Sequence, residues 1–271
     1  MNCRTNRSWV DAVRIAPVPD VASIERATVA AVAPPRVEEL GGWLLPFDEG
    51  TVGRARSAVP LDHGEPDTHL IPEIEGRYGA LELPAIFRVP DVETFAPFRS
   101  ELVARGYAES KPTLVQVGSS SEAARMVSPC LSQVEIRTAA DDEWASVFLG
   151  EGFDPVDGAS RVATLRRAQG SLFARACDAD QTVAAGVLAL GHGWASIHGM
   201  RTALTHRRRG YALRVLTALA STATQRGYEQ MVLQVEAGNA VAQRLYARCG
   251  LRTAWRYTYW ERPSAMAPQK P

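Results

Sequence analysis

Residues 205–216 read THRRRGYALRVL, in which three adjacent arginines and a glycine are followed at once by an apolar pattern. From Ala212 to Ala223 the apolar residues recur at intervals of three and four, which predicts a long helix that begins near Gly210 and ends at Gly227. A helix N-terminus presents unpaired N–H groups and partial positive charge, so it attracts anions. Because glycine has no side chain, a phosphate can approach the backbone closely at Gly210. The stretch therefore predicts a phosphate-binding loop at the start of a helix.

The composition shows that this positive cluster is local. The chain has 271 residues, with 30 Lys plus Arg against 30 Asp plus Glu, and lysine occurs only at Lys111 and Lys270. A protein that binds polyanions in general usually carries an excess of basic residues. The predicted helix is also rich in alanine and leucine rather than in aromatics that stack on bases. We therefore expect no nucleic-acid partner.

Hydropathy and cysteine usage indicate a cytoplasmic protein. No run approaches the roughly 20 apolar residues that a membrane helix needs, and residues 1–15 lack an apolar stretch of signal-peptide type. The four cysteines are scattered, with no CxxC pair. His63 and His69, in the segment HGEPDTH, are too few for a metal site. We expect no membrane contact and no metal.

The length favours two domains, because a single domain usually has about 100–150 residues. The best boundary is the small, polar segment 118–133, which contains a proline. Before it the pattern is mixed α/β, with short strands predicted at residues 42–45 and 55–59. We place the two domains at residues 1–128 and 133–263.

The second half ends in a clear order of elements. A strand that ends near Met200 precedes the arginine loop and the long helix. A buried strand is predicted at residues 231–235, followed by a short helix from Asn239 to Gly250 and a final strand at residues 253–260.

The arginine loop differs from the phosphate-binding loops of two common nucleotide-binding folds. The P-loop pattern GxxxxGK[ST] is absent, and Gly191-His192-Gly193 lacks the third glycine of a dinucleotide fingerprint and precedes a strand. By contrast, Arg207-x-x-Gly210-x-Ala212 resembles the (Q/R)xxGx(G/A) motif of the GNAT acetyltransferases. Downstream, a second set of residues is similar to the ending of that superfamily: Asn239, Ala242, Leu245, Tyr246, Cys249, Gly250 and Leu251. The resemblance covers about residues 133–262.

This resemblance implies a GNAT fold, an α/β fold built on a mixed sheet, and acetyl-CoA as the co-substrate. It implies that the loop amides hold the pyrophosphate and that the preceding strand pairs with the pantetheine arm. The implied cofactor-binding residues are Met200, Arg201, Thr202, Arg207, Arg208, Arg209, Gly210, Tyr211, Ala212 and Asn239. Asn239 can also be a helix cap, and the three arginines can also be a solvated face.

The resemblance also implies catalytic roles. Tyr246 stands where the family places the tyrosine that protonates the departing thiolate, although it can also be a core residue. His198 matches the place of a histidine base, and its ordinary pKa of about 6.5 suits that role. Glu151, Glu236 and a water relay are the alternatives for the base, and His198 can instead face away from the site.

The first half resembles the N-terminal halves of some two-domain bacterial GNAT proteins. Gly42-Trp43-Leu44-Leu45 followed by the segment 54–59 is similar to their GWLLR…RxNS pattern, from which Pro46 and Arg56 depart. This implies a tandem architecture with a degenerate, non-catalytic N-terminal copy that shapes the acceptor pocket.

From these features we expect an N-acetyltransferase that acts on a primary amine of a small molecule by direct attack in a ternary complex, as a monomer or homodimer. Two alternatives stay open. The acceptor can be a protein or peptide amine, or the chain can be a CoA-binding regulatory protein without turnover.

Overall fold

A computed structural model describes residues 20–131 and 133–263, and within these residues the chain forms eleven strands and eight α-helices. The strands are β1 (Arg36–Leu40), β2 (Trp43–Phe47), β3 (Val59–Pro60), β4 (Phe87–Pro90), β5 (Ala108–Ser119), β6 (Val134–Arg137), β7 (Leu172–Asp178), β8 (Gln181–Gly191), β9 (Trp194–Thr202), β10 (Gln230–Glu236) and β11 (Arg252–Glu261). The helices are α1 (Val21–Val32), α2 (Leu70–Gly79), α3 (Ala96–Ala104), α4 (Ser120–Ala124), α5 (Asp142–Leu149), α6 (Pro155–Arg167), α7 (Tyr211–Gln225) and α8 (Ala240–Arg248).

One large mixed sheet runs through both halves of the chain. Its strand order is β4-β11-β5-β10-β9-β8-β7-β6, and a smaller sheet holds β1, β2 and β3. Strand β5 lies between β10 and β11 and is antiparallel to both, while β4 pairs with the outer side of β11. Strands β9 and β10 are parallel, and α7 is the crossover between them. Two strands of the first half therefore complete the sheet of the second half.

Helix α7 forms as its sequence predicts. Its apolar stripe packs into a large core cluster with the sheet, and five of its side chains are fully buried: Val215, Leu216, Leu219, Ala220 and Ala223. Gly210 caps the start with a φ of +89°, and Gly227, with a φ of +81°, follows the end. Both glycines occupy the left-handed region, which side chains rarely adopt.

Strand β10, helix α8 and strand β11 likewise match the predicted order to within one or two residues. The predicted strand at residues 55–59 is wrong except at its end. Residues Gly53–Ala55 form a 3₁₀ turn, and only Val59–Pro60 is a strand. The turn is held because the Ser57 hydroxyl donates to the Gly53 carbonyl at 2.7 Å and the Arg56 guanidinium donates to the Gly50 carbonyl at 3.0 Å.

The segment 118–133, predicted as a boundary, contains helix α4. The Ser119 hydroxyl accepts from the Glu122 N–H at 3.4 Å and caps this helix. Ala123 is fully buried in the core cluster that also contains α7. The division at residues 128–133 stays a prediction, and any boundary there crosses a packed region rather than a free linker.

No helix among residues 20–131 and 133–263 is long and apolar enough to cross a membrane.

Candidate active site

The sheet opens at one place, between the parallel strands β9 and β10. Their pairing covers only Ala195–Ile197 against Met231–Leu233. Beyond that point β10 continues to pair with β5, and β9 continues to pair with β8. In the described chain no strand pairs with the cleft-facing edge of β9 from His198 to Thr202. Such an edge offers backbone N–H and C=O groups to an extended ligand.

A β-bulge lies on this open edge. The register between β8 and β9 shifts so that Ala185 faces Arg201 whereas Val187 faces His198, which leaves one extra residue on β9. Gly199 lies in the bulge with a φ of +58°, and a Cβ there would come within 3.0 Å of Leu165 Cδ1. A bulge turns backbone and side-chain groups away from the regular pleat and is common beside active sites.

The cleft leads into a cavity of about 530 Å³. Both halves of the chain line it. From the second half it is bordered by His198, Gly199, Met200, Arg201, Gln234, Glu236, Asn239 and Tyr246 among others, and from the first half by Thr51, Gly53, Arg54, Arg56, Lys111 and Thr113 among others. Its size is within the usual range for small-molecule sites.

His198 lies in the wall of this cavity and is 3% exposed. Its Nε2 is 2.7 Å from the Ser196 hydroxyl, and its Nδ1 is buried without a hydrogen-bond partner in the described chain. Burial, with a contribution from the charge of Arg54, holds the pKa of His198 well below 6.5. The ordinary pKa of about 6.5 therefore does not apply to this ring, because the ring is desolvated. The imidazole is neutral at pH 7 and is a weaker base than an exposed imidazole.

Tyr246 lies on α8 and borders the same cavity. It is 7% exposed, and burial, with a smaller contribution from Cys249, raises the pKa of its phenol to about 12. The hydroxyl therefore keeps its proton at neutral pH and can donate it. Asn239 caps the same helix, since its Oδ1 accepts from the Ala242 N–H at 3.1 Å. The side chain that the resemblance assigns to the cofactor thus also holds the start of α8.

The arginine loop lies outside the cavity wall, at the start of α7. Arg207, Arg208 and Arg209 are all exposed. Arg207 lies 5.7 Å from the centre of the Phe153 ring, and Arg209 lies 3.8 Å from the carboxylate of Asp178. The Arg209–Asp178 pair is exposed, and exposed ion pairs contribute little to stability. The three arginines therefore remain available to an anion.

Gly210 also has a structural reason to be glycine. Its carbonyl accepts from the Ser128 hydroxyl at 3.1 Å, and a Cβ at Gly210 would come within 3.0 Å of Pro129 Cγ. The segment 128–129, which we assigned to a domain boundary, thus packs on the loop. The positive φ and this close contact are therefore each sufficient to explain a glycine at position 210, whether or not a ligand binds there.

The predicted site residues fall into two groups. His198, Met200, Arg201, Asn239 and Tyr246 line the cavity, as does Glu236, one of the alternative bases. Thr202 and the loop from Arg207 to Ala212 lie outside its lining, as does Glu151, which is exposed just after α5.

Several cavity residues were not predicted. Arg54 and Arg56 stand in a stretch that the sequence marks only through its similarity to an N-terminal pattern. Lys111, Arg161, Tyr257 and Tyr259 line the cavity without any motif around them. They share no local sequence pattern, because they come together only in the folded chain, from elements far apart in the sequence.

Comparison with known proteins agrees with this geometry. Residues 19–260 match a protein-family model described as "Probable histone acetyltransferase Rv0428c C-terminal". The chain is 25% identical over 240 residues to a protein of Bacillus subtilis (strain 168) described as "Uncharacterized N-acetyltransferase YobR", with 85% of this chain and 94% of the relative covered.

The solved structures of similar fold include two that are named as GNAT proteins. A GCN5-related N-acetyltransferase from Kribbella flavida superposes with a TM-score of 0.68 at 17% identity, covering 90% of this chain and 95% of the other. A tandem GNAT protein from the clavulanic acid biosynthesis pathway superposes with a TM-score of 0.57 at 14% identity, covering 89% and 94%.

Proposed function

The chain belongs to the family of the Rv0428c C-terminal domain and is a GNAT N-acetyltransferase, and we propose that it transfers the acetyl group of acetyl-CoA to a primary amine of a small molecule. The observation that carries this proposal is the cleft between β9 and β10, which opens onto a cavity that Tyr246 and His198 both line.

The residues present fit acetyl-CoA. The open edge of β9 from His198 to Thr202 can pair with an extended amide-containing arm as an added strand would. The N-terminus of α7, with three exposed arginines before it, can hold a diphosphate. When bound, acetyl-CoA would supply the acetyl group as a thioester.

The chain itself supplies a proton donor. We propose that the Tyr246 hydroxyl gives its proton to the sulfur as the carbon–sulfur bond breaks and the carbon–nitrogen bond forms. A phenol with a pKa of about 12 is protonated at every pH at which the enzyme is expected to work. Backbone N–H groups of the bulge near Met200 would polarise the thioester carbonyl.

The proton that the amine loses needs an acceptor, and we propose His198 Nδ1 for it. Loss of this proton from His198 to solvent and uptake of one proton by the Tyr246 phenolate then restore both side chains. This atom can accept only when the ring carries its proton on Nε2 and donates it to Ser196. Its low basicity makes the transfer less favourable than for an exposed histidine. Glu236, which is exposed at the cavity rim, and water remain the alternatives.

A protein or peptide amine is the second candidate acceptor, because the family description names a histone acetyltransferase. The cavity favours the small molecule, since it is lined from both halves of the chain.

The first test is calorimetric titration of the purified protein with acetyl-CoA, followed by thiol release with a panel of small primary amines and lysine-containing peptides. We expect micromolar binding of acetyl-CoA and faster thiol release with small amines. Binding without turnover on any amine would favour a regulatory CoA-binding protein instead. No binding by the folded protein would overturn the proposal.

A further inference from the structure

The cavity carries more positive than negative charge. Among the described residues, its lining includes five cationic side chains, from Arg54, Arg56, Lys111, Arg161 and Arg201, but only two carboxylates, from Glu236 and Glu261. The whole chain is neutral. The excess is therefore a property of this cavity and indicates the charge of what it holds.

Two of these cations are already paired. The Arg161 guanidinium donates to Asp157 at 2.6 Å, and Arg201 lies 4.0 Å from the same carboxylate. Arg201 also stacks on Phe153, with 4.1 Å between the guanidinium carbon and the ring centre.

Arg54 and Arg56 have no such partner. Within the described part of the chain, Arg54 makes no hydrogen bond or ion pair, and Arg56 makes one hydrogen bond, to the Gly50 carbonyl at 3.0 Å. Both side chains are half-buried in the cavity wall. The charge of Arg54 also acts on the buried carboxylate of Glu25, but that carboxylate is in contact with Arg88 at 2.9 Å. Half-buried guanidinium groups with no carboxylate in contact are unusual, because the loss of hydration is normally offset by an anion.

The backbone beneath these two arginines is held firmly. Ala55 and Ser57 are fully buried, and a Cβ at Gly53 would come within 2.8 Å of the Tyr259 ring. The 3₁₀ turn thus presents the two guanidinium groups from a fixed base. A site prepared in this way loses little entropy when an anion binds.

The two arginines are distinct from the loop that we assign to the cofactor phosphates. None of the residues 203–212 lines the cavity, whereas Arg54 lies near enough to His198 for its charge to act on the ring. An anion held by Arg54 would lie beside the proposed reacting groups rather than at the far end of acetyl-CoA.

We propose that the acceptor is an amine that also carries an anionic group, a carboxylate or a phosphate, and that Arg54 and Arg56 bind this group. The inference rests on the proposed function and names its substrate class. Guanidinium groups match both anions by paired hydrogen bonds. Acceptors of net positive charge, such as polyamines and lysine-rich peptides, are repelled.

The test uses matched acceptors on the full-length protein saturated with acetyl-CoA. β-Alanine is compared with propylamine, and O-phosphoethanolamine with ethanolamine, by calorimetric binding and by thiol release. The variants are Arg54→Met, Arg56→Met and the charge-keeping Arg54→Lys. Arg226→Met, at an exposed position after α7 and outside the cavity lining, removes the same charge. Acetyl-CoA affinity is measured for every variant.

We expect wild type to bind an anionic acceptor about tenfold or more tightly than its neutral partner, as for a charge-assisted contact, and to release thiol faster with it. Arg54→Met and Arg56→Met should abolish that preference, Arg54→Lys should retain part of it, and Arg226→Met should retain all of it, with acetyl-CoA affinity unchanged throughout. A larger preference in the β-alanine and propylamine pair would identify the anionic group as a carboxylate, and a larger preference in the O-phosphoethanolamine and ethanolamine pair would identify it as a phosphate.

Three results would overturn the inference. The first is that neither anionic probe binds. The second is that the preference for the anionic acceptor survives in Arg54→Met and Arg56→Met. The third is that these variants lower the affinity for acetyl-CoA instead, which would assign the arginines to the cofactor. Absence of acetyl-CoA binding in wild type is a different failure, because it removes the proposed function and the inference together.

Discussion

Two buried side chains at the cavity, Tyr246 and His198, have chemistry that depends on desolvation. Burial disfavours the charged form of each, so it raises the pKa of the phenol and lowers that of the imidazole. Sequence similarity singles out both positions. The similarity does not show how deeply the two side chains are buried, because the residues around them come from several separate strands and helices.

Removal of the Tyr246 hydroxyl should slow the chemical step. Tyr246→Phe is expected to lower kcat by about 100-fold, near the lower end for loss of a general acid, and to leave acetyl-CoA affinity unchanged. Because the phenol titrates only near pH 12, the variant should be slower by the same factor from pH 6 to 9. Steady-state kinetics measures kcat, and calorimetry measures acetyl-CoA affinity.

Tyr228→Phe, outside the cavity lining, is the matched control. A Tyr246→Phe enzyme with normal kcat would exclude Tyr246 as the acid.

His198 should make stability depend on pH in a predictable direction. The unfolded histidine gains a proton as the pH falls through about 6.5, whereas the buried ring does not, so the native state loses stability below that pH. Between pH 6.5 and 5.5 the free energy of unfolding of wild type should fall by about 1 kcal/mol more than that of His198→Gln.

Chemical denaturation at several pH values measures this difference. His69→Gln, at an exposed histidine, is the control for loss of a histidine side chain outside the cavity lining. Equal pH dependence in His198→Gln and wild type would show that the ring is not desolvated. Since the ring stays neutral above its lowered pKa, any activity loss in His198→Gln should be constant from pH 7 to 9.

At the scale of single elements, helix α7 was the most predictable part of the chain. Its start, its end and its apolar stripe follow from local periodicity and from glycine at both termini. Helix α6 was not predicted, although Asp154 caps it by accepting from the Asp157 N–H at 2.8 Å and Pro155 follows. Its buried positions are few, and its apolar pattern is weak in the sequence.

The two terminal glycines of α7 allow the loop to be tested with a matched control. Gly210→Ala and Gly227→Ala both place a side chain at positive φ and should each cost about 1–2 kcal/mol of stability. Only Gly210 contacts the segment 128–129, whereas a Cβ at Gly227 meets nothing within 4 Å. Gly210→Ala should therefore also displace the loop and weaken acetyl-CoA binding by about tenfold, or 1.4 kcal/mol.

Thermal or chemical denaturation and calorimetric titration of the two variants give the comparison. If both variants bind acetyl-CoA like wild type, the N-terminus of α7 does not hold the cofactor.

At the scale of the whole molecule, the two halves share one sheet. Strand β11 pairs only with β4 and β5 in the described chain, and both belong to the first half. The small sheet adds the turn that carries Arg54 and Arg56 to the cavity. The site therefore needs both halves, whichever way the chain is divided into domains.

A fragment of residues 133–263 should not fold stably alone. Without the first half, β10 loses its antiparallel neighbour and β11 loses both of its neighbours, which exposes long unpaired edges. We expect poor dispersion of its amide resonances and rapid proteolysis, and recovery of both on co-expression with residues 1–132. A well-dispersed, protease-resistant fragment that binds acetyl-CoA would contradict this expectation.

The features that depend on neighbours along the chain could be predicted from the sequence: the loop and helix of residues 205–225, the order of the closing elements and the resemblance to a family. Periodicity, capping and glycine at positive φ act within a few residues, so they can be predicted from a short stretch. Three features could be seen only in the folded chain: β5 lies between β10 and β11, Arg54 and Arg56 line the cavity, and His198 is desolvated. The first two depend on contacts between residues more than a hundred positions apart, and the environment of His198 combines the neighbouring strand β8 with the charge of Arg54 from the first half. The solvent exposure that sets a pKa is the sum of all such contacts.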